Sequence, residues 1–194
     1  MIETKRLKIR HIQGSDIHDV FEYAVDEDTG PRAGWPPHKT IEDTKSIMNM
    51  WLDPSCTEEV FGLVHKQDGK VIGTMGIVRL NNHMKDEKNF IAKELVNDGK
   101  IIYEIGITLS KKYWNQGLVT EALSAIIDYL FEVENADVVM ATHYEANIAS
   151  MRVQEKNNLR VLGQYERDEA WYNTDCKTMI VRAKNRNEWI AENN

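Results

Sequence analysis

The sequence predicts a mixed α/β fold, a mostly antiparallel sheet of six to seven strands flanked by helices, with a single parallel crossover. Three observations carry that prediction. First, the apolar stretch Ile101–Leu109 runs through a short polar turn containing Gly117 into a helix. Apolar residues at Leu118, Val119, Ala122, Leu123, Ile126, Ile127, Leu130 and Phe131 form the stripe of a helix buried on one side. Second, Val138–His143 returns as a β-rich run, and a strand, helix, strand succession of this length implies a parallel crossover. Third, Val60–His65 and Val71–Val78 are β-rich runs joined through Asp68-Gly69, a strong hairpin signal.

The remaining elements follow in order. Leu7–Arg10 alternates like a short strand, and Ser15 is placed to cap a helix whose Ile17, Val20, Phe21 and Ala24 share one face. Gly30–His38, with three prolines and two glycines in nine residues, reads as a loop with an aromatic at its tip. Thr40 and Asp43 resemble a capping box, followed by the apolar stripe Thr44, Ile47, Met48 and Trp51. The charged stretch 81–100 reads either as a solvated connection or as a lid with a short helix. Asn147 caps the next helix, with Met151, Val153 and Leu159 facing inward and Asn157-Asn158 stopping it. Arg160–Tyr165 and Lys177–Ala183 are strands, and 187–190 closes the chain as a helical turn.

With 194 residues, 42% of them apolar and 28% charged, the chain suits one sizeable core and is expected to be a single domain, 1–194. No apolar run is long enough to cross a bilayer, and Met1–Arg6 lacks a signal-peptide core, so a soluble cytoplasmic protein is expected. Cys56 and Cys176 have neither metal-ligand spacing nor the density of a disulfide scaffold. A net charge of −7 argues against general nucleic-acid binding and mildly favours amine partners.

A helix that starts just past Gly117 directs its unpaired first N–H groups and dipole back into the turn, a setting that favours phosphate or pyrophosphate. No Gly-Lys-Ser/Thr follows Gly117, which excludes a nucleotide P-loop, and no G-x-G-x-x-G supports a dinucleotide fold. What remains is a diphosphate turn that works without metal.

Over nearly its whole length the chain resembles the GNAT superfamily of acetyl-CoA-dependent N-acyltransferases, in particular its RimJ/RimL-type branch of ribosomal-protein N-terminal acetyltransferases. The resemblance runs in order through Thr4–Arg10, Ser15-Asp16, Gly34-Trp-Pro36 and Asp68–Gly73. It is densest at Glu104-Ile-Gly106, Tyr113–Ala122 and Asn147–Lys156, and ends at Glu188-Trp189. The family's pyrophosphate pattern, Gln/Arg-x-x-Gly-x-Gly/Ala, falls on Trp114–Val119, departing from it at Trp114 and at Val119.

The resemblance implies a GNAT fold and acetyl-CoA as cosubstrate, without a metal. Backbone N–H groups of Asn115, Gln116, Gly117, Leu118, Val119 and Thr120 would hold the pyrophosphate. Ile107, Thr108 and Leu109 would pair with the pantetheine arm, and Asn147 would contact its amide or serve only as a cap. Direct attack by an amine needs a proton acceptor, a stabilised oxyanion and a proton for the leaving thiolate. Glu104 is the candidate base, with His143 as an alternative, and a packed histidine the commoner state. Gln154 stands where many relatives carry a tyrosine acid, and an amide cannot act as one; Ser150 is then the candidate acid, unless it serves only the helix backbone. Trp35 and Trp171 are the aromatics expected nearest the acceptor. The acceptor is a primary amine, on a protein N-terminus or a small molecule; neither nucleic acid nor membrane is expected, and a homodimer is compatible. An acyl-CoA-binding protein without transferase activity is the alternative.

Overall fold

A computed structural model describes residues 1–80 and 99–193. Its strands are β1 (Ile2–Glu3), β2 (Leu7–His11), β3 (Glu58–His65), β4 (Val71–Leu80), β5 (Ile102–Leu109), β6 (Val138–Tyr144), β7 (Arg160–Glu166) and β8 (Thr178–Asn185). Its helices are α1 (Ile17–Ala24), α2 (Thr29–Ala33), α3 (Ile41–Leu52), α4 (Leu118–Glu132), α5 (Ile148–Lys156) and α6 (Arg186–Asn193). The strands form a sheet in the order β1-β2-β3-β4-β5-β6-β8-β7. Its parallel pair is β5 with β6, in which Glu104 stands opposite Met140. The registers of β1–β2, β2–β3, β6–β8 and β7–β8 are antiparallel. This is the expected mixed, mostly antiparallel sheet with one parallel crossover, with β1 added as an eighth strand; its two residues are too few to show an alternation in sequence.

The chain divides into two compact units. The first comprises Met1–Ile77 and Gly106–Ala125. Its core gathers Ile12, Val20, Tyr23, Ala24, Met48, Val60 and Val71, with Trp35 and Trp51 packed on it. Asp16, rather than Ser15, sets the start of α1. Its carboxylate takes two 2.8 Å bonds from the Arg10 guanidinium and one of 2.8 Å from the Gln13 N–H. The Thr40–Asp43 capping box of α3 forms as its sequence implies. Gly30–His38 is not all loop, because α2 runs through its first four residues. Pro31 is tolerated there since the N–H it lacks belongs to the first turn and would have no helical partner, and Gly34, at φ 93°, ends the helix. Gly69, at φ 67°, turns the hairpin between β3 and β4, closed by a 2.9 Å bond from His65 N–H to Lys70 O.

The second unit comprises Val78–Ile105 and Ile126–Asn194. It packs Leu80, Ile102, Val138, Met140, Val181 and Ala183 together, with Val78 and Tyr165 against them. At its end Trp189 stacks on Phe131 at 5.4 Å and donates to Asp128 at 2.7 Å, which ties α6 to α4. On α5 the buried side chain is Gln154, while Met151 and Val153 are only half-buried. Asn158, at φ 57°, ends that helix as expected. The helix or lid expected within 81–100 falls almost wholly outside the described residues. Among the described residues no helix is long and apolar enough to cross a membrane.

Candidate active site

The turn ahead of α4 lies in the first unit, and its shape comes from backbone conformation. Asn115 (φ 59°) and Gly117 (φ 75°) are left-handed, with Gln116 between them outside that region. Such alternation curls successive N–H groups toward one side, which is the form of an anion-binding nest. Asparagine and glycine are the residues that adopt this conformation at least cost. Leu118 opens α4, so the N–H groups that follow Gly117 begin a helix. Among the described residues beyond its chain neighbours, a Cβ at Gly117 would meet only Arg6 Nη2 within 4 Å, at 3.7 Å, so φ rather than crowding selects glycine here. Asn115, Gln116 and Gly117 are exposed, Val119 and Thr120 half-buried, and Leu118 buried. Val119 therefore sits beside the buried stripe of α4 rather than within it.

Arg6 braces this turn, a role no sequence pattern revealed. Its Nη1 donates to Gln116 O at 2.7 Å and its Nε to Glu121 Oε2 at 2.7 Å, while its backbone N–H reaches Glu121 Oε1 at 2.7 Å. Thr4 Oγ1 donates to the same Oε1 at 2.5 Å. Burial opposes ionisation of Glu121, and the bonds from Thr4 and Arg6 outweigh it, holding its carboxyl below the ordinary carboxylate range. The approach to the turn is fixed as firmly. Trp114 Nε1 donates to Leu109 O at 2.7 Å, and Arg32 lies over the Trp114 ring at 5.7 Å. Tyr113 OH donates to Asp68 at 2.6 Å, a bond that, with some burial, pushes its pKa up to about 12. Lys111 pairs with Asp28 and Lys112 with Glu22, so both lysines beside the turn already hold carboxylates. On β5, Ile107 and Thr108 are half-buried and Leu109 buried. The Thr108 carbonyl lies against Gly73 of β4, where a Cβ would come within 2.3 Å of it.

The remaining expected residues belong to the second unit. Glu104 is half-buried on β5 and accepts from Thr142 Oγ1 at 3.1 Å. Asn147 caps α5, its Oδ1 accepting the Ser150 N–H at 3.2 Å. Ser150 Oγ accepts from Gln154 Nε2 at 3.0 Å. Filled as an acceptor, that hydroxyl can turn its own proton outward. Gln154 Oε1 is buried with no partner among the described residues. His143 is excluded as a base by its bonding. Its Nδ1 lies 2.8 Å from Tyr144 O and its Nε2 accepts from Arg182 Nε at 3.3 Å, so both ring nitrogens are engaged with the ring neutral. Burial, reinforced by the Arg182 charge, lowers its pKa despite the Tyr144 carbonyl. Trp171 is buried and stacked 6.4 Å from Tyr144, a packing role, and Trp35 packs on the core of the first unit. A cleft of about 670 Å³ in the second unit, lined by Leu159, Arg160, Arg182 and Glu188 among others, includes none of the expected residues.

Comparison with known proteins agrees with this architecture. A family model described as an acetyltransferase (GNAT) domain matches residues 6–160. The uncharacterized N-acetyltransferase YnaD of Bacillus subtilis is 30% identical over 168 residues, covering 86% of each chain. A GNAT-family acetyltransferase from Bacillus anthracis superposes with a TM-score of 0.70 at 25% identity, covering 96% of this chain and 99% of that one. A spermidine N-acetyltransferase from Vibrio cholerae, solved with CoA and spermine, shares the fold at a TM-score of 0.71 and 13% identity, covering 96% and 99%. With the family model spanning most of its length, the chain belongs to the GNAT family of N-acetyltransferases.

Proposed function

We propose that this chain, acting as one domain over 1–194 and akin to the RimJ/RimL-type branch, transfers acetyl from acetyl-CoA to a primary amine by direct attack. The observation that carries the reading is the left-handed pair Asn115 and Gly117 at the start of α4, with the Arg6 guanidinium bonded to the carbonyl between them. Those features suit a diphosphate, and among the described residues beyond its chain neighbours a Cβ at Gly117 would meet Arg6 Nη2 alone within 4 Å. Backbone N–H groups of Asn115–Thr120 hold the pyrophosphate, Ile107–Leu109 the pantetheine arm, and Asn147 its amide. When bound, the thioester supplies the activated acetyl group. Glu104, oriented by Thr142, takes the proton of the amine, directly or through water. Ser150, whose oxygen accepts a hydrogen bond from the Gln154 amide, gives its own proton to the departing sulfur and is reprotonated from solvent. The acceptor is a protein N-terminus or a small-molecule amine.

A thiol-release assay with acetyl-CoA across an amine panel tests this reading: amine-dependent release is expected. Saturable CoA binding with no amine-dependent release would instead favour an acyl-CoA-binding protein, the reading to which Gln154 lends weight by replacing the usual tyrosine.

Arg6→Ala is expected to lower CoA affinity about tenfold and stability by about 1–2 kcal/mol, since it removes charge-assisted bonds to Gln116 and Glu121. Calorimetry and urea unfolding measure the two effects; a stability loss with CoA affinity intact would confine Arg6 to the fold.

A further inference from the structure

The buried residue of α5 is Gln154, at 3% exposure, while Met151 and Val153 on the same helix are half-buried. A helix that turns a glutamine inward in preference to its methionine or valine gives up apolar burial. Hydrogen bonding does not offset that loss. Gln154 Nε2 donates to Ser150 Oγ at 3.0 Å, but Oε1, equally buried, has no partner among the described residues. Turning the amide over would bond that oxygen and strand both N–H groups, and an orphaned buried N–H is the rarer state. An apolar side chain of the same length would escape the penalty of a buried, unpaired acceptor, so stability does not account for a glutamine here.

Its partner does. Ser150 is held at two points: its N–H donates to Asn147 Oδ1 at 3.2 Å, and its Oγ accepts from Gln154. A helical serine commonly donates its hydroxyl proton back to the carbonyl one turn earlier, which would withdraw that proton from chemistry. Among the described residues, the Ser150 hydroxyl donates to no such carbonyl. The Gln154 N–H fills a lone pair of Oγ from the inner side of the helix, and the hydroxyl proton is left to point away from it. Gln154 thus sets the direction in which Ser150 can donate.

We propose that Gln154 is a positioning residue for acetyl transfer, kept in the interior at a cost in stability because it aims the Ser150 hydroxyl at the departing sulfur. This rests on the reading of Ser150 as the proton donor of an acetyltransferase. As the carbon–sulfur bond breaks, the Ser150 proton passes to sulfur and is replaced from solvent, while Gln154 keeps both its amide protons. The wild type, Gln154→Met, Ser150→Ala and the double variant decide it. Each is measured for the single-turnover rate of thiol release from acetyl-CoA with an amine that the wild type acetylates, for CoA affinity by calorimetry, and for stability in urea. Gln154→Met is expected to slow release about tenfold, the worth of one hydrogen bond, with CoA affinity unchanged and stability equal to the wild type or higher. In the Ser150→Ala background the same substitution should leave the rate within about twofold, because the hydroxyl it orients is gone. A packing role gives the reverse, a stability loss with the rate intact, and that result overturns the proposal. So does a Gln154→Met chain that fails to fold, and so does equal slowing with and without the Ser150 hydroxyl. If Ser150→Ala slows release and Gln154→Met does not, Ser150 stays the donor and the positioning role alone falls. If Ser150→Ala keeps the full rate, or the wild type releases thiol with no amine, the underlying reading fails and this proposal fails with it.

Discussion

Gly117→Glu is expected to lower affinity for CoA by about a hundredfold or more while leaving a folded protein. Two effects combine. A carboxylate placed about 5 Å from a phosphate, near a protein surface with an effective dielectric of about 20, costs roughly 3 kcal/mol. The left-handed backbone at φ 75° adds about 1 kcal/mol for a side chain such as glutamate. A third consequence is local: Arg6 Nη2 lies 3.7 Å from the new Cβ, so the introduced carboxylate can pair with the cation that braces the turn. Gly117→Asn separates backbone from charge, because asparagine adopts this conformation readily, as Asn115 already does. It should keep CoA affinity within several-fold. Calorimetric titration of CoA into both variants gives the answer, and wild-type affinity in Gly117→Glu would remove the pyrophosphate from this turn.

The second large effect is expected at Glu104. Glu104→Gln preserves shape and can still accept the Thr142 hydroxyl, so a merely structural carboxylate would be replaced with little consequence. If Glu104 takes the amine proton, turnover near neutral pH should fall by about 10²–10⁴-fold, the usual worth of a positioned base. The deficit should shrink as pH rises toward the pKa of the free amine, where the acceptor supplies its own neutral nitrogen. Rate profiles of the variant and wild type from neutral to alkaline pH measure this. A loss independent of pH, or none, would return Glu104 to the fold.

Much of this protein is legible along its own chain. The apolar stripe predicted over Leu118 to Phe131 falls on α4, the Thr40–Asp43 box caps α3, and Asn147 caps α5. These features depend on helical periodicity and on hydrogen bonds spanning three or four residues, which a sequence displays directly. Local reading misjudged Gly30–His38, where composition signalled a loop and Pro31 instead entered the first turn of α2. It also misplaced the buried face of α5, because Gln154 lies inside despite its polarity and contributes an amide to Ser150. That inversion comes from tertiary packing, which places Gln154 inside with its amide nitrogen bonded to Ser150 although its Oε1 has no partner among the described residues.

By itself, then, the sequence determined the order of elements, the crossover into α4, the glycine turn and the resemblance to acetyl-CoA-dependent enzymes. Tertiary structure decided which distant groups meet. Arg6 reaches Glu121 across 115 residues to fix the turn, and His143 gives up both ring nitrogens to Arg182 and Tyr144. Spacing cannot encode such pairings, since they arise from strand order and register and from side chains that converge only once the sheet is formed.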